Sequence, residues 1–397
     1  MLLFLMVIGL MSCHSNSEIS IPAPHVIPCM DGFQLSFNPQ LNGDSLMDLD
    51  GWKRMDQGRL VVKSFAMPRY SWSPEIRLNV TLRSKGDPWD KSGAILLFPS
   101  NNRLNLLDLE WGRLPEEEET SNPGIISHST AAGNYEAPLE LMRFITPFGV
   151  GHFSKMERLD EYRPVYIPLW EDSVHWEADV SHLWPLMQDS ISIGVYIDTW
   201  SADGQELDMV LSFEPKPAWN HAQAAVKAAS LVNTTKFGSK QKTFDRFSSE
   251  PLAIPWNFNQ DAQDVKLHYL VTGHGGHSSG DEFTRCEHVL SWDDSIVHRF
   301  TPWRDDCASF RRFNPSSGVW TERTFWKGDS IDERIASSDY SRSGWCPGSQ
   351  VEPVVVSLGN IAAGPHEFII NIPTAQAYSD EEMNFWNVSA YLTWRED

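Results

Sequence analysis

The sequence predicts an all-β protein built from two antiparallel sandwich domains, on three observations. Apolar residues recur at every second position in several separate stretches, the period of a strand buried on one face. Clusters of Pro, Gly, Asn and Asp separate those stretches, as turns and loops do. The chain is 397 residues long, more than the roughly 250 to 300 residues that one core usually supports.

The first segment stands apart from the fold. Residues 1–11 are almost unbroken Leu, Met, Val, Ile and Phe, about half of the roughly 20 apolar residues that a bilayer span needs. They read as a secretory leader, and Leu10-Met11-Ser12-Cys13 resembles a bacterial lipobox with Cys13 as the lipidated residue. No Lys or Arg precedes the run, which departs from that pattern. Residues 1–19 are assigned to leader and tether. The protein is expected to be exported, as an outer-membrane or cell-surface lipoprotein or in periplasmic or secreted form. Export places Cys29, Cys286, Cys307 and Cys346 where disulfides are permitted, with all three pairings open.

The strands follow in order. In residues 75–83, Ile76, Leu78, Val80 and Leu82 interleave with Arg77, Asn79 and Thr81. The same alternation runs through Ile191, Ile193, Val195 and Ile197, through Leu207, Met209, Leu211 and Phe213, and through Phe368, Ile370 and Ile372. It closes the chain with Trp386, Val388, Ala390, Leu392 and Trp394. Only residues 221–232 have a helix-like, Ala-rich composition. Glu214-Pro215-Lys216-Pro217 suggests a break, giving domains at 20–216 and 217–397, with residues 46–60 as the first strands. Arg143-Phe144-Ile145-Thr146-Pro147 and Arg299-Phe300-Thr301-Pro302 form a faint echo between the halves.

Charge and composition narrow the function. With 53 acidic and 32 basic residues the formal charge is −21, which argues against nucleic acid as a partner. The 17 Trp, 20 Phe and 9 Tyr suit large cores or flat rings that stack on sugar faces. The acidic run 116–119 reads as a solvated loop.

Three groups could carry chemistry. If the aliphatics of residues 191–197 face the core, then Tyr196, Asp198 and Trp200 project from the other face, a carboxylate between two rings; alternatively Asp198 starts the turn that continues to Gly204. Asp87 fits a turn cap in Gly86-Asp87-Pro88-Trp89-Asp90-Lys91, whereas Asp90 has no such local role. The Gly- and Ser-rich loop 273–282 lets a backbone approach a ligand closely and carries His274, His277, Asp281 and Glu282. His274, His277, Cys286 and His288 can also be read as a metal site, although the spacing matches no tight ligand signature. There is no Gly-x-Ser-x-Gly elbow, P-loop or dinucleotide fingerprint, and Cys346 lies in the rigid turn Gly344-Trp345-Cys346-Pro347-Gly348.

Together these segments resemble the peptide-N-glycosidase F family, bacterial amidases that remove N-linked glycans. The resemblance rests on Trp89-Asp90, Arg143-Phe144-Ile145-Thr146-Pro147, Tyr196-Ile197-Asp198-Thr199-Trp200, the 273–282 loop and the turn around Trp345, in family order. It implies two eight-stranded antiparallel jelly rolls side by side, with the active site in the cleft between them. It implies Asp90 as the principal catalytic carboxylate, Glu282 as the second acid, from the other domain, and Asp198 as a third, where the family has Glu. Trp200, Trp345 and Arg342 match residues lining the sugar cleft, with Trp89 beside them. His274 stands where Trp is expected, and Lys91 replaces an Arg, keeping the charge but losing the fork. Cys307 and Cys346 match a family disulfide, which leaves Cys29 and Cys286 unassigned.

On that resemblance the substrate is an N-glycoprotein or glycopeptide recognised through its chitobiose core, with no cofactor and no metal, and a monomer is expected. Asp90 would activate water, Glu282 would hold the amide and shuttle a proton, and Asp198 would tune Asp90 by like charge. Trp200 and Trp345 would offer flat faces to the sugar. Three alternatives stay open: a glycoside hydrolase with paired carboxylates, a surface glycan-binding lipoprotein without turnover, and a copper monooxygenase using His274, His277, His288 and His298.

Overall fold

A computed structural model describes residues 23–41, 46–47, 50–70, 73–99, 105–110, 136–156, 167–215, 226–235, 246–276 and 279–396. Cys13, His277, the acidic run 116–119 and the proposed junction at 216/217 lie outside the described residues. The fold is two antiparallel jelly-roll sandwiches, as expected.

In the first, a four-stranded sheet runs in the order His25–Leu35, Gln205–Glu214, Glu75–Ser84, Val174–Asp179. It packs on a seven-stranded sheet ordered Gln350–Val351, Leu139–Ile145, Ser92–Pro99, Ser190–Ile197, Leu60–Ala66, Lys53–Met55, Leu46–Met47. In the second, Val226–Asn233, Phe385–Arg395, Ala262–His274 and Val354–Ile361 face Leu252–Phe258, Gly364–Asn371, His288–Trp292 and Ser295–Phe300. Each sandwich encloses its own core.

Alternation places the strands where one face meets solvent. Ile76, Leu78, Val80 and Leu82 are fully buried, and their strand pairs in register with Gln205–Glu214, Leu82 opposite Leu207. The rule fails at the centre of the seven-stranded sheet, where both faces are covered. There Tyr196 does lie beside Asp198, and burial first and the charge of Asp198 second raise its hydroxyl pKa, but that face is covered: Tyr196 is 1% exposed, packed with Met55, Leu60, Leu106 and Leu107 under the short helix Leu106–Glu110. The Ala-rich window also departs from expectation. Val226–Asn233 is a strand paired with Phe385–Arg395, because its small residues fit a buried sheet position and tertiary pairing outweighs local propensity.

The two sandwiches interlock. Gln350–Val351 comes from the second half of the sequence, yet it pairs with Phe144 and Arg143 as the edge of the first sandwich's sheet. Buried Arg143 forks onto Glu140 at 2.6 and 2.9 Å and donates across the boundary to the Asn387 carbonyl at 2.8 Å. Arg299, its partner in the sequence echo, instead pairs with Glu287 while half exposed. Cys307 and Cys346 form the disulfide that the resemblance implied, and Cys29 and Cys286 are buried free thiols.

Candidate active site

Asp90 sits in the turn between the strands Glu75–Ser84 and Ser92–Pro99. Asp87 shapes that turn: it is fully buried and accepts from the Trp89 amide at 3.1 Å and the Thr199 hydroxyl at 2.6 Å. Thr146 closes it, accepting from the Lys91 amide at 2.8 Å and donating to the Trp89 carbonyl at 3.2 Å. The second sandwich reaches over as well, since Ser316 donates to the Pro88 carbonyl at 2.7 Å. The Asp198 amide donates to the Ser92 carbonyl at 2.9 Å, so Asp198 leaves the adjacent strand at the same end of the sheet.

Glu282 arrives from the other sandwich, on the loop after Ala262–His274. That loop doubles back at Gly275, where φ is +87° and a Cβ would lie 1.9 Å from the Met383 carbonyl oxygen, so glycine is required. The Glu282 amide donates to the Gly275 carbonyl at 3.2 Å, and its carboxylate accepts from Arg342 Nε at 2.9 Å. Neighbouring Asp281 is buried scaffolding, accepting from the Gln376 amide at 3.1 Å. Arg342 is itself 2% exposed, held by the carbonyls of Tyr340 and Ser337, each at 2.8 Å.

Electrostatics tie the two acids together across the domain boundary. Burial pushes the Asp90 carboxyl above the usual carboxylate range; Arg342 and then Lys91 pull it back, and Asp87 adds to the rise. Burial likewise raises Glu282, to about 7, with Arg342 opposing and Asp90 reinforcing the shift. One guanidinium therefore serves two desolvated carboxyls.

The aromatic residues divide. Trp89 and Trp200 are 59% and 55% exposed, as flat ligand-facing rings would be. The Arg59 guanidinium lies over Trp200, 4.2 Å from the ring centroid, and the Phe37 ring packs against it at 5.1 Å, tilted by 47°. Trp345 does not offer the face expected of it. It is 3% exposed, donates its indole N–H to the Gly273 carbonyl at 2.8 Å and packs with Ile145 and Val351, so it supports Arg342 from beneath. His274 keeps an aromatic role, with its ring stacked on Phe385 at 5.0 Å and on Trp345 at 5.5 Å. Burial first, and Arg143 second, lower its pKa to about 3, so it is a neutral ring.

Asp198 pairs with buried Arg59 at 3.3 Å and acts on the Tyr196 hydroxyl, and Asp87 adds to the rise at Asp90. Arg59, Ser316 and Phe37 had no signal in the sequence, and Thr146 only as part of the Arg143–Pro147 segment: each acts on a partner far away in the chain. Buried His288 bonds to the Tyr269 hydroxyl at 2.9 Å, and among the described residues no three metal-ligating side chains gather.

Residues 26–213 match the family model described as Peptide-N-glycosidase F, N terminal, and residues 243–393 match Peptide-N-glycosidase F, C terminal. The chain belongs to the peptide-N-glycosidase F family. It is similar to the solved structure of PNGF-II, at 29% identity and a TM-score of 0.79, covering 94% of this chain and 65% of that one. It thus spans about two thirds of the length of PNGF-II. It also shares its fold with recombinant peptide: N-glycanase F, at 15% identity and a TM-score of 0.60, covering 94% and 96% of the two chains. PNGase F described as a glycosylasparaginase from Flavobacterium meningosepticum matches at 14% identity and a TM-score of 0.56, with the same coverage. No curated protein sequence matches. Membership in the peptide-N-glycosidase F family accords with two jelly rolls that each deliver one carboxylate to a shared arginine.

Proposed function

We propose that this chain is an amidase that cleaves the bond between an asparagine side chain and the first N-acetylglucosamine of an N-linked glycan. The observation that carries this reading is the pair Asp90 and Glu282, delivered by different sandwiches onto Arg342. Amide hydrolysis needs a base for water, a donor for the departing nitrogen and a cation near the developing oxyanion. Ionised Asp90 takes the proton from water as its oxygen bonds to the amide carbon. Glu282, which burial raises to about 7, acts in its protonated form and protonates the nitrogen as the C–N bond breaks. Arg342 and Lys91 favour the ionised Asp90 and offset negative charge during the attack. Trp89 and Trp200 give exposed ring faces to the chitobiose core, and His274 completes an apolar wall. The products are an aspartate-containing polypeptide and a glycosylamine, which later loses ammonia.

The test is the mass of a glycopeptide after incubation. Wild type should leave Asp at the glycosylation site, about one mass unit above Asn, and Asp90→Asn should be slower by roughly a thousandfold or more, in line with loss of a principal acid–base group. Release that leaves a sugar on Asn would favour a glycosidase, and binding without turnover a glycan-binding module. Equal rates for the two proteins would remove Asp90 from the mechanism.

A further inference from the structure

The strands Val319–Trp326 and Asp329–Ala336 form a ribbon that pairs, among the described residues, with no other strand. Trp320 stands opposite Ile335, Thr324 opposite Ile331 and Trp326 opposite Asp329, and directly opposed residues share a face. One face therefore carries Trp320, Ile335, Ile331 and Trp326 in a line from root to tip. At the root, Trp320 lies against Phe283 at 5.3 Å and Tyr340 at 4.6 Å between ring centroids. Phe283 follows Glu282, and the Tyr340 carbonyl holds Arg342, so the line begins at the active site. Toward the tip of this face Trp326 is 65% exposed and Ile331 45%, and Phe325, opposite Ser330 on the other face, is 75% exposed. Trp326 lies about 20 Å of strand beyond Trp320, at roughly 3.3 Å per residue.

Folding does not account for this ribbon. Two-stranded ribbons are marginal in water, and long open edges with apolar side chains invite association. We propose that it binds the polypeptide of the substrate: an extended, apolar segment flanking the glycosylated asparagine, added as a third strand with its side chains beside Ile331 and Trp326. The substrate's identity rests on the amidase reading above. Two features favour polypeptide over outer sugars. The open edges present backbone N–H and C=O groups, which an extended peptide can pair and a glycan cannot match in register. The tip ring is accompanied by aliphatic Ile331 on its own face. Four acidic and three basic residues leave the ribbon nearly neutral within a chain of charge −21, so an acidic segment is not repelled there.

The experiment compares wild type with the triple variant Phe325→Ser, Trp326→Ser, Ile331→Ser in the full chain. The substrates carry one glycan on a peptide of about three residues, too short to reach the tip at roughly 3.5 Å per residue, or on an extended apolar peptide of about 20. A third carries only chitobiose on the short peptide. The variant should raise KM for the long peptide about tenfold with kcat kept, and leave both short substrates unchanged, which also shows that it is folded. In the Asp90→Asn background, the same three changes should weaken binding of the unglycosylated long peptide by about tenfold, read by fluorescence anisotropy. An unchanged KM for the long peptide, an equal loss on short substrates, or a loss that follows glycan size overturns the proposal. If wild type releases no glycan from any substrate, the amidase reading fails, while the peptide-binding arm still decides the ribbon's role.

Discussion

Arg342 holds one carboxylate by a direct bond and steadies a second through space, from a position almost closed to water. Both carboxyls are raised by burial and lowered first by this guanidinium. Arg342→Gln should therefore raise both further and move the acid limb of kcat/KM toward alkaline pH, and below that limb each unit of movement lowers kcat/KM about tenfold. A kcat/KM profile from pH 5 to 9 checks it, and an unmoved acid limb refutes it. Stability carries the complementary sign. Glu282 binds its proton more tightly folded than unfolded, so its contribution is intact below the ordinary 4.5 and lost as pH rises through about 7. Glu282→Gln has no proton to lose, so its Tm should fall less between pH 5 and 8 than that of wild type. At this scale the sequence marked Asp90 by its lack of a local role, and the family resemblance marked Glu282. Neither could show that Trp345 is buried, because Gly273 and Ile145, which help to enclose it, are remote in the chain.

A turn and three strand ends place Asp90. Thr146, the first residue beyond the strand Leu139–Ile145, clamps both sides of Asp90 through the Lys91 amide and the Trp89 carbonyl. Thr146→Val keeps the shape of this fully buried residue and removes the hydroxyl, leaving the Lys91 N–H without that acceptor. That should cost about 1 to 3 kcal/mol of stability, read by urea denaturation. It should also lower kcat more than it raises KM, because the turn carries the catalytic acid rather than a binding face. A variant with normal kcat would make the turn's position irrelevant. Strands were legible wherever one face met solvent, as in Glu75–Ser84. The strand Ser190–Ile197 was legible too, but not the covering of its second face by helix Leu106–Glu110, which buries Tyr196; Val226–Asn233 was not, because its alanines are helix formers captured by the strand Phe385–Arg395.

Two cores follow from length, but the way they interlock does not. Gln350–Val351 crosses to the first sandwich, Ser316 braces the Asp90 turn, and Arg143 with Glu140 forms a buried ion pair at the boundary. That pair is tied from both sides: Arg143 donates to the Asn387 carbonyl at 2.8 Å, and Glu140 accepts from the Thr235 hydroxyl at 3.2 Å and Asn233 Nδ2 at 3.3 Å. Buried pairs add little net stability when formed, yet removing one partner strands the other charge at a cost of about 3 to 5 kcal/mol. Glu140→Leu should thus destabilise the full chain by about that amount. Because the pair joins the sandwiches, the loss should also reach Asp90 and Glu282, whose interaction depends on their relative placement. Wild type should unfold in one calorimetric transition, and Glu140→Leu should lower its midpoint and reduce kcat together. If the variant instead resolves two transitions with unchanged activity below the first, the sandwiches are independent bodies, and the site does not depend on this joint.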